Sequence, residues 1–204
     1  MKDWGELASP EDIQKTIEAL KANGINAIVV ENGQEAKKKV LELLPQNAEV
    51  MNMSSTTIDT LELPKEINES GKYNSVKVKL EKMDRKTQGR EMQKMGAAPE
   101  YAIGSVHAVT GDGKVLIASN TGSQLPAYVY GASHVLWVVG TQKIVANLEE
   151  GMKRIYDYVL PLESERVKKA YGMERSNVSK LLIINKEIVP NRITLIFVKE
   201  KLGF

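Results

Sequence analysis

Three short segments of this chain concentrate hydroxyl, amide and ammonium groups where a strand-like run gives way to a loop. They are Ser54-Ser55-Thr56-Thr57, Ser119-Asn120-Thr121-Gly122-Ser123-Gln124 and Gly140-Thr141-Gln142-Lys143. Hydroxyls, the backbone N–H groups of a glycine turn and a lysine ammonium all donate hydrogen bonds to an anion. A phosphate or carboxylate is the ligand that these residue types suit. The candidate ligand-binding residues are Ser54, Ser55, Thr56, Asn120, Thr121, Gly122, Ser123, Gln124, Gly140, Thr141 and Lys143. For any one loop, the commoner role of Ser and Thr is to cap a helix. Only convergence of all three on one sheet edge would make a shared anion site.

Catalytic groups are harder to find. The two histidines, His107 and His134, fall in different strand-like runs, and no His-Glu-x-x-His or similar spacing occurs. A metal site is not expected, and each histidine reads first as a hydrogen-bonded structural residue. His107 is the weak catalytic candidate, as general acid or base, because its run leads to the hairpin beside Asn120 and Gln124. Neither glycine-rich nucleotide fingerprint nor Gly-x-Ser-x-Gly is present, and no cofactor is evident. With no cysteine, this chain holds no thiol nucleophile, disulfide or cysteine-bound cluster. Trp137 lies in an apolar run and reads as core. Tyr128 and Tyr130 read as packing residues first and pocket residues second. Arg154 and Arg166 read as ion-pair residues, Arg166 with a secondary capacity to hold a ligand carboxylate.

A net charge of +2 over 204 residues gives little long-range attraction for nucleic acid. The run Lys37-Lys38-Lys39 sits among glutamates and reads as a solvated helix face. No apolar run approaches a membrane span, and the N-terminal residues lack a signal-peptide pattern, so a cytoplasmic location is expected. Trp4, near the start, leaves a homodimer open.

The elements that must position these residues follow a strand–helix rhythm. Ser9-Pro10-Glu11-Asp12 starts a helix and Asn23-Gly24 stops it. A strand (25–30), a helix (34–44, closed by Pro45), a second strand (48–53) and a helical segment (58–63) come next. Residues 74–95 read as mainly helical. Residues 101–110 and 114–118 flank Gly111-Asp112-Gly113 as an antiparallel hairpin. Residues 134–139 read as a strand covered on both faces. A long helix is expected from Gly140 to Pro161 with Ile144, Leu148, Met152, Ile155 and Val159 inward, then a polar helix to Tyr171 and strands at 181–184 and 193–198. The fold class is α/β: a three-layer, Rossmann-like, mixed but mostly parallel sheet with helices on both faces. An N-terminal helical extension (1–24) precedes the α/β domain (25–204).

Read together, Gly104-Ser-Val-His-Ala-Val-Thr110, residues 119–124, Val138-Val-Gly-Thr-Gln-Lys-Ile-Val145 and the closing residues 192–204 resemble the LUD domain, the lactate-utilisation protein family. Pro161-Leu-Glu-Ser-Glu-Arg166 and Ala170-Tyr-Gly172 are similar to one of its subgroups. The resemblance runs from about Ile13 to Phe204. It implies the fold shared by ribose-5-phosphate isomerase, glucosamine-6-phosphate deaminase and CoA transferases. This chain departs from those enzymes at their carboxylates. The strand before the hairpin offers Gly104, Ser105, Val106, His107 and Thr110 where sugar-phosphate isomerases carry an acidic motif. Asn120-Thr121-Gly122 stands where CoA transferases, and many LUD proteins, have a glutamate, and an amide cannot form an acyl anhydride. The cysteine-rich segment of some LUD relatives is missing from residues 175–180.

Two functions are expected from this. One is a binding or accessory protein of lactate (2-hydroxy acid) utilisation that holds a small anionic metabolite beside iron–sulfur or oxidase subunits on other chains. The other is an enzyme acting on a phosphorylated or CoA-linked small acid through the three loops.

Overall fold

The computed structural model describes residues 3–204. Helix α1 (Pro10–Ala22) starts at Ser9, whose Oγ accepts the Asp12 amide at 3.1 Å, and Gly24 leaves it at φ +77°. Proline spends no amide that the first turn needs, and glycine takes the left-handed conformation without steric cost. Ile13, Ile17 and Leu20 of α1 are buried in the largest apolar cluster, so this helix forms part of the core. Next come β1 (Asn26–Val30), α2 (Gly33–Leu43), β2 (Glu49–Asn52), α3 (Thr56–Thr60) and α4 (Leu63–Glu69).

Residues 74–95 are mainly helical, as the charge density suggests. A short β3 (Asn74–Ser75) leads into α5 (Val76–Glu81), and α6 (Arg85–Ala97) restarts after an Asp84 cap that accepts the Lys86 amide at 2.9 Å. Two further strands, β7 (His134–Gly140) and β10 (Ile193–Val198), complete a six-stranded sheet with β4 (Tyr101–Gly104). Its order is β1-β10-β7-β4-β2-β3, with every neighbouring pair parallel.

Side chains alternate along the central strands. Val135, Trp137, Val139, Leu195 and Phe197 face one cluster, while Leu136, Val138, Ile196 and Val198 face the other. A strand covered on both sides has to be apolar at every position, which explains the run at 135–139. Helices α2, α3 and α4 cover the second face. The first face is covered by α1 and by a second sheet, ordered β8-β5-β6-β9. Its strands are β5 (Ala108–Thr110), β6 (Val115–Ser119), β8 (Ile144–Val145) and β9 (Lys180–Ile184). The expected hairpin is therefore present, with β5 antiparallel to β6, but it belongs to this separate sheet.

Three expectations about element boundaries are corrected. Residues 101–110 do not form one strand. β4 ends at Gly104 in the large sheet, 105–107 turn away, and β5 begins at Ala108 in the small sheet. Gly104 stands where an added Cβ would overlap the Tyr128 hydroxyl, so this exit is packed without a side chain. Nor does a helix open at Gly140. Thr141–Lys143 form one 3-10 turn, Ile144 lies in β8, and α7 (Leu148–Arg154) starts only at the Asn147 cap, whose Oδ1 accepts the Glu150 amide at 3.0 Å. Leu148, expected inward, is exposed.

Pro161 does not end that helix. A π turn (Ile155–Val159) follows α7, and the Leu160 amide reaches back to the Ile155 carbonyl. α8 (Leu160–Tyr171) then carries Pro161 in its first turn, where a missing amide is tolerated.

Gly140 is pinned between strands and tail. An added Cβ would lie 2.7 Å from the Glu200 carbonyl oxygen and 2.8 Å from the Leu202 amide nitrogen. Backbone cannot yield as a flexible side chain would, so Gly140→Ala should cost about 1–3 kcal/mol. The check is a lower urea midpoint with unchanged slope.

Candidate functional site

The carboxyl ends of β2 and β4 and the turn after β7 open onto a cavity of about 330 Å³. This is the sheet edge at which open α/β folds offer a crevice to ligands. The end of β6, the inner side of α8, residues 176–178 and Phe204 close the other walls.

Lys143 lies at the centre. It is 2% exposed, and its Nζ donates to Thr57 Oγ1 at 3.0 Å and to Ser105 Oγ at 3.1 Å. No carboxylate of the described residues lies within ion-pair distance of it. Thr57 Oγ1 donates a hydrogen bond to the Leu202 carbonyl at 3.3 Å, so it is oriented to accept from Lys143 Nζ. Burial, followed by repulsion from Arg154, holds the Lys143 amine well below its ordinary pKa.

His107 lines the same wall. Its Nδ1 accepts the Ala118 amide at 3.1 Å, so the proton of the neutral ring sits on Nε2. Burial, then the charges of Lys143 and Arg154, push its pKa down to about 3. A ring in this state offers the cavity a hydrogen-bond donor and not a base, which changes the role expected of His107.

Arg154 is fully buried. It donates to the His107 carbonyl at 2.6 Å and faces the Tyr158 ring at 5.3 Å, and its Nε and one Nη have no partner. The expectation of an ion pair is overturned for this residue. Among the described residues no acid forms an ion pair with Arg154, and burial lowers its pKa to about 10. Arg166 does form the expected pair, with a two-pronged contact to Glu163 at 2.7 Å for both bonds. These two line the cavity from α8, and the pairing raises the Arg166 pKa.

The first and second loops reach the cavity together. Ser54, Ser55 and Thr56 line it from β2, and Asn120, Thr121, Ser123 and Gln124 line it from β6. Ser55 stands at the N-cap of α3 without a side-chain cap bond, so its hydroxyl is not occupied by capping. The second loop is partly self-satisfied. The Gly122 amide donates to Ser119 Oγ at 2.8 Å and the Ser123 amide to Thr121 Oγ1 at 3.3 Å. Gly122 is thus absent from the lining, and the backbone nest expected there is filled by its own hydroxyls. Gln124 Oε1 accepts from Ser119 Oγ at 3.0 Å, which leaves its Nε2 hydrogens for the cavity.

From the third loop only Lys143 arrives. Gly140 packs on the tail, Thr141 is buried with its hydroxyl unpartnered, and Gln142 donates to the Leu202 carbonyl at 2.9 Å. A 3-10 turn aims alternate residues differently from a helix start, which is why the three do not act together.

Several lining residues escaped sequence reasoning. Ser105 and Thr57 are unremarkable until Lys143 is placed between them, and Glu163 enters only because α8 continues past Pro161. Tyr128 is buried, meets Trp137 edge-on at 5.4 Å and also floors the cavity, whereas Tyr130 is solvent-exposed. His134 lies outside the cavity, stacked on Tyr101 at 4.6 Å. No group of three or more residues able to hold a metal ion occurs among the described residues.

A mostly parallel α/β sheet with a hydroxyl-rich cleft over a buried lysine defines the class of this protein. The LUD domain model matches residues 13–198, and the chain belongs to the LUD domain family. Among solved structures it is similar to a DUF162 family protein from Deinococcus radiodurans. That match has a TM-score of 0.59 and 12% identity, and covers 95% of this chain and 99% of that one. At such identity the likeness speaks for the fold. No curated protein matches the chain. Among the described residues no helix is long and apolar enough to cross a membrane.

The His107 environment sets an acid dependence. Its folded pKa is depressed, so between about pH 6.5 and pH 3 the unfolded chain binds a proton that the folded chain refuses. Stability should fall as pH drops through that window, by up to about 1.4 kcal/mol per pH unit from this group. Urea midpoints for wild type and His107→Gln, compared near neutral pH and near pH 4, should show the smaller loss in the variant.

Proposed function

We propose that the cavity binds a small organic anion of the 2-hydroxy acid type, such as lactate. The protein then serves lactate utilisation as a binding or accessory component beside redox subunits on other chains. One observation carries this reading: Lys143 is buried against two hydroxyls and no carboxylate. A cation in that position costs several kcal/mol unless it is neutralised or paired. Glu163 and Arg166 cancel one another, so Lys143 is the basic group of the cavity that has no acid partner.

Further donors stand around it. Ser54, Ser55, Thr56, Ser123 and the Gln124 amide surround the space, and His107 Nε2–H adds a neutral donor. A hydroxy acid needs both kinds of partner, charge for its carboxylate and neutral groups for its hydroxyl. The volume is at the low end of small-ligand sites, which favours an acid of a few carbons over a nucleotide-sized thioester. Membership of the LUD family supports the link to lactate.

Thermal shift with lactate, phosphate and CoA thioesters should single out lactate. Ligand at about 100 times its dissociation constant adds about 2.7 kcal/mol. Lys143→Met should raise the melting temperature of the unliganded protein, by about 1–4 kcal/mol of stability, and abolish the lactate shift. An unshifted wild type, or a shift retained in Lys143→Met, overturns the reading. Binding should also take up a proton as the anion restores the Lys143 charge, so the calorimetric heat should vary with buffer ionisation enthalpy in wild type only.

A further inference from the structure

We propose that Lys143 is a nucleophile as well as a charge: its Nζ condenses with the carbonyl carbon of a small 2-oxo acid seated in the cavity to form a Schiff base. The inference rests on the anion-binding reading above and extends it from hydroxy acids to their oxidised counterparts.

A lysine reacts with a carbonyl only when its lone pair is free. Desolvation and a neighbouring cation are the conditions that free it. Both are built in here. Lys143 is almost wholly buried on the cavity wall, and Arg154, outside the lining but fully buried with two nitrogens unpartnered, is near enough for its charge to act on the amine. A carboxylate at Nζ would restore the ammonium, whereas Thr57 and Ser105 solvate the amine without doing so. Its depressed pKa agrees with this arrangement.

The partners also suit the chemistry. The Thr57 hydroxyl donates a hydrogen bond to the Leu202 carbonyl and accepts one from Nζ. Ser105 Oγ makes only a long 3.5 Å contact to the Val106 carbonyl, so it can turn to pass a proton between Nζ and a nearby oxygen. His107 Nε2–H can hydrogen-bond a carbonyl oxygen without giving up its proton.

In the addition step the Nζ lone pair bonds to the carbonyl carbon and the C–O π pair moves to oxygen. A proton then travels from nitrogen to that oxygen through Ser105, leaving a neutral carbinolamine. A second proton, a solvent hydronium's, lets the hydroxyl leave as water while the nitrogen pair closes the C=N bond. The sum is amine plus carbonyl plus one proton giving iminium plus water, with no change of oxidation state. The iminium keeps its positive charge beside the ligand carboxylate, the same complement that an ammonium gives lactate.

The test is reductive trapping of the full chain with pyruvate and sodium cyanoborohydride, mapped by peptide mass spectrometry. Lys143 should be labelled at least about ten-fold above any surface lysine, the factor that one unit of amine pKa depression supplies. Excess lactate, Lys143→Arg and Lys143→Met should each remove that label, both variants first being shown to melt cooperatively. Labelling spread evenly over the lysines, or unchanged by lactate, overturns the proposal. A lactate thermal shift with no pyruvate adduct overturns the nucleophile and leaves the anion site standing. Neither shift nor adduct overturns both.

Discussion

A lysine buried against hydroxyls, with no acid to meet it, is the interaction on which this site depends. Lys143 ties three elements together. Thr57 stands at the start of α3, Ser105 at the exit of β4, and Lys143 itself in the turn after β7. A carboxylate in place of either hydroxyl would satisfy the charge within the protein and leave the cavity without electrostatic purpose. Hydroxyls orient the amine without pairing it with a charge. The fold bears this cost through the apolar clusters on either face of the large sheet, which hold the three elements in register.

The interrupted strand at 105–107 gives the site its second feature. By leaving the large sheet after Gly104 and joining the small one at Ala108, the chain turns Ser105 and His107 toward the cavity. An unbroken strand would point alternate side chains into the two apolar layers. His107 is then fixed from both ends, its ring by the Ala118 amide and its carbonyl by Arg154. A cleft wall, the small sheet and helix α7 are joined through one residue. The imidazole is kept neutral with its donor nitrogen inward, a state suited to orienting an oxygen and unsuited to removing a proton near neutral pH.

The helical side of the cavity follows from a local irregularity. The π turn after α7 lets the chain pass Pro161 without breaking, and α8 delivers Arg166 and Glu163 as a self-neutralised pair. These two can reorganise around a ligand without leaving a lone charge behind, whereas Lys143 cannot. This chain thus places a lysine without an acid in the floor of its cleft and a self-neutralised pair in its wall.

Much of the architecture was legible in the chain itself because it rests on local or periodic causes. Ser9-Pro10 and Gly24 bound α1, the apolar run at 135–139 demanded a strand covered on both faces, and the motifs at 104–110, 119–124 and 138–145 pointed to the LUD family. The serines and threonines after β2 and β6 were recognisable as site candidates because their type and position suffice to nominate them. What only the tertiary structure decided was pairing across distance. That Thr57 and Ser105 would be the partners of Lys143, that Arg154 would have no acid, and that Gly140, Thr141 and Gly122 would serve packing instead of the cavity depend on which backbone comes within about 3 Å of which side chain. Residue types state what a group can donate or accept; the folded chain alone determines what it meets.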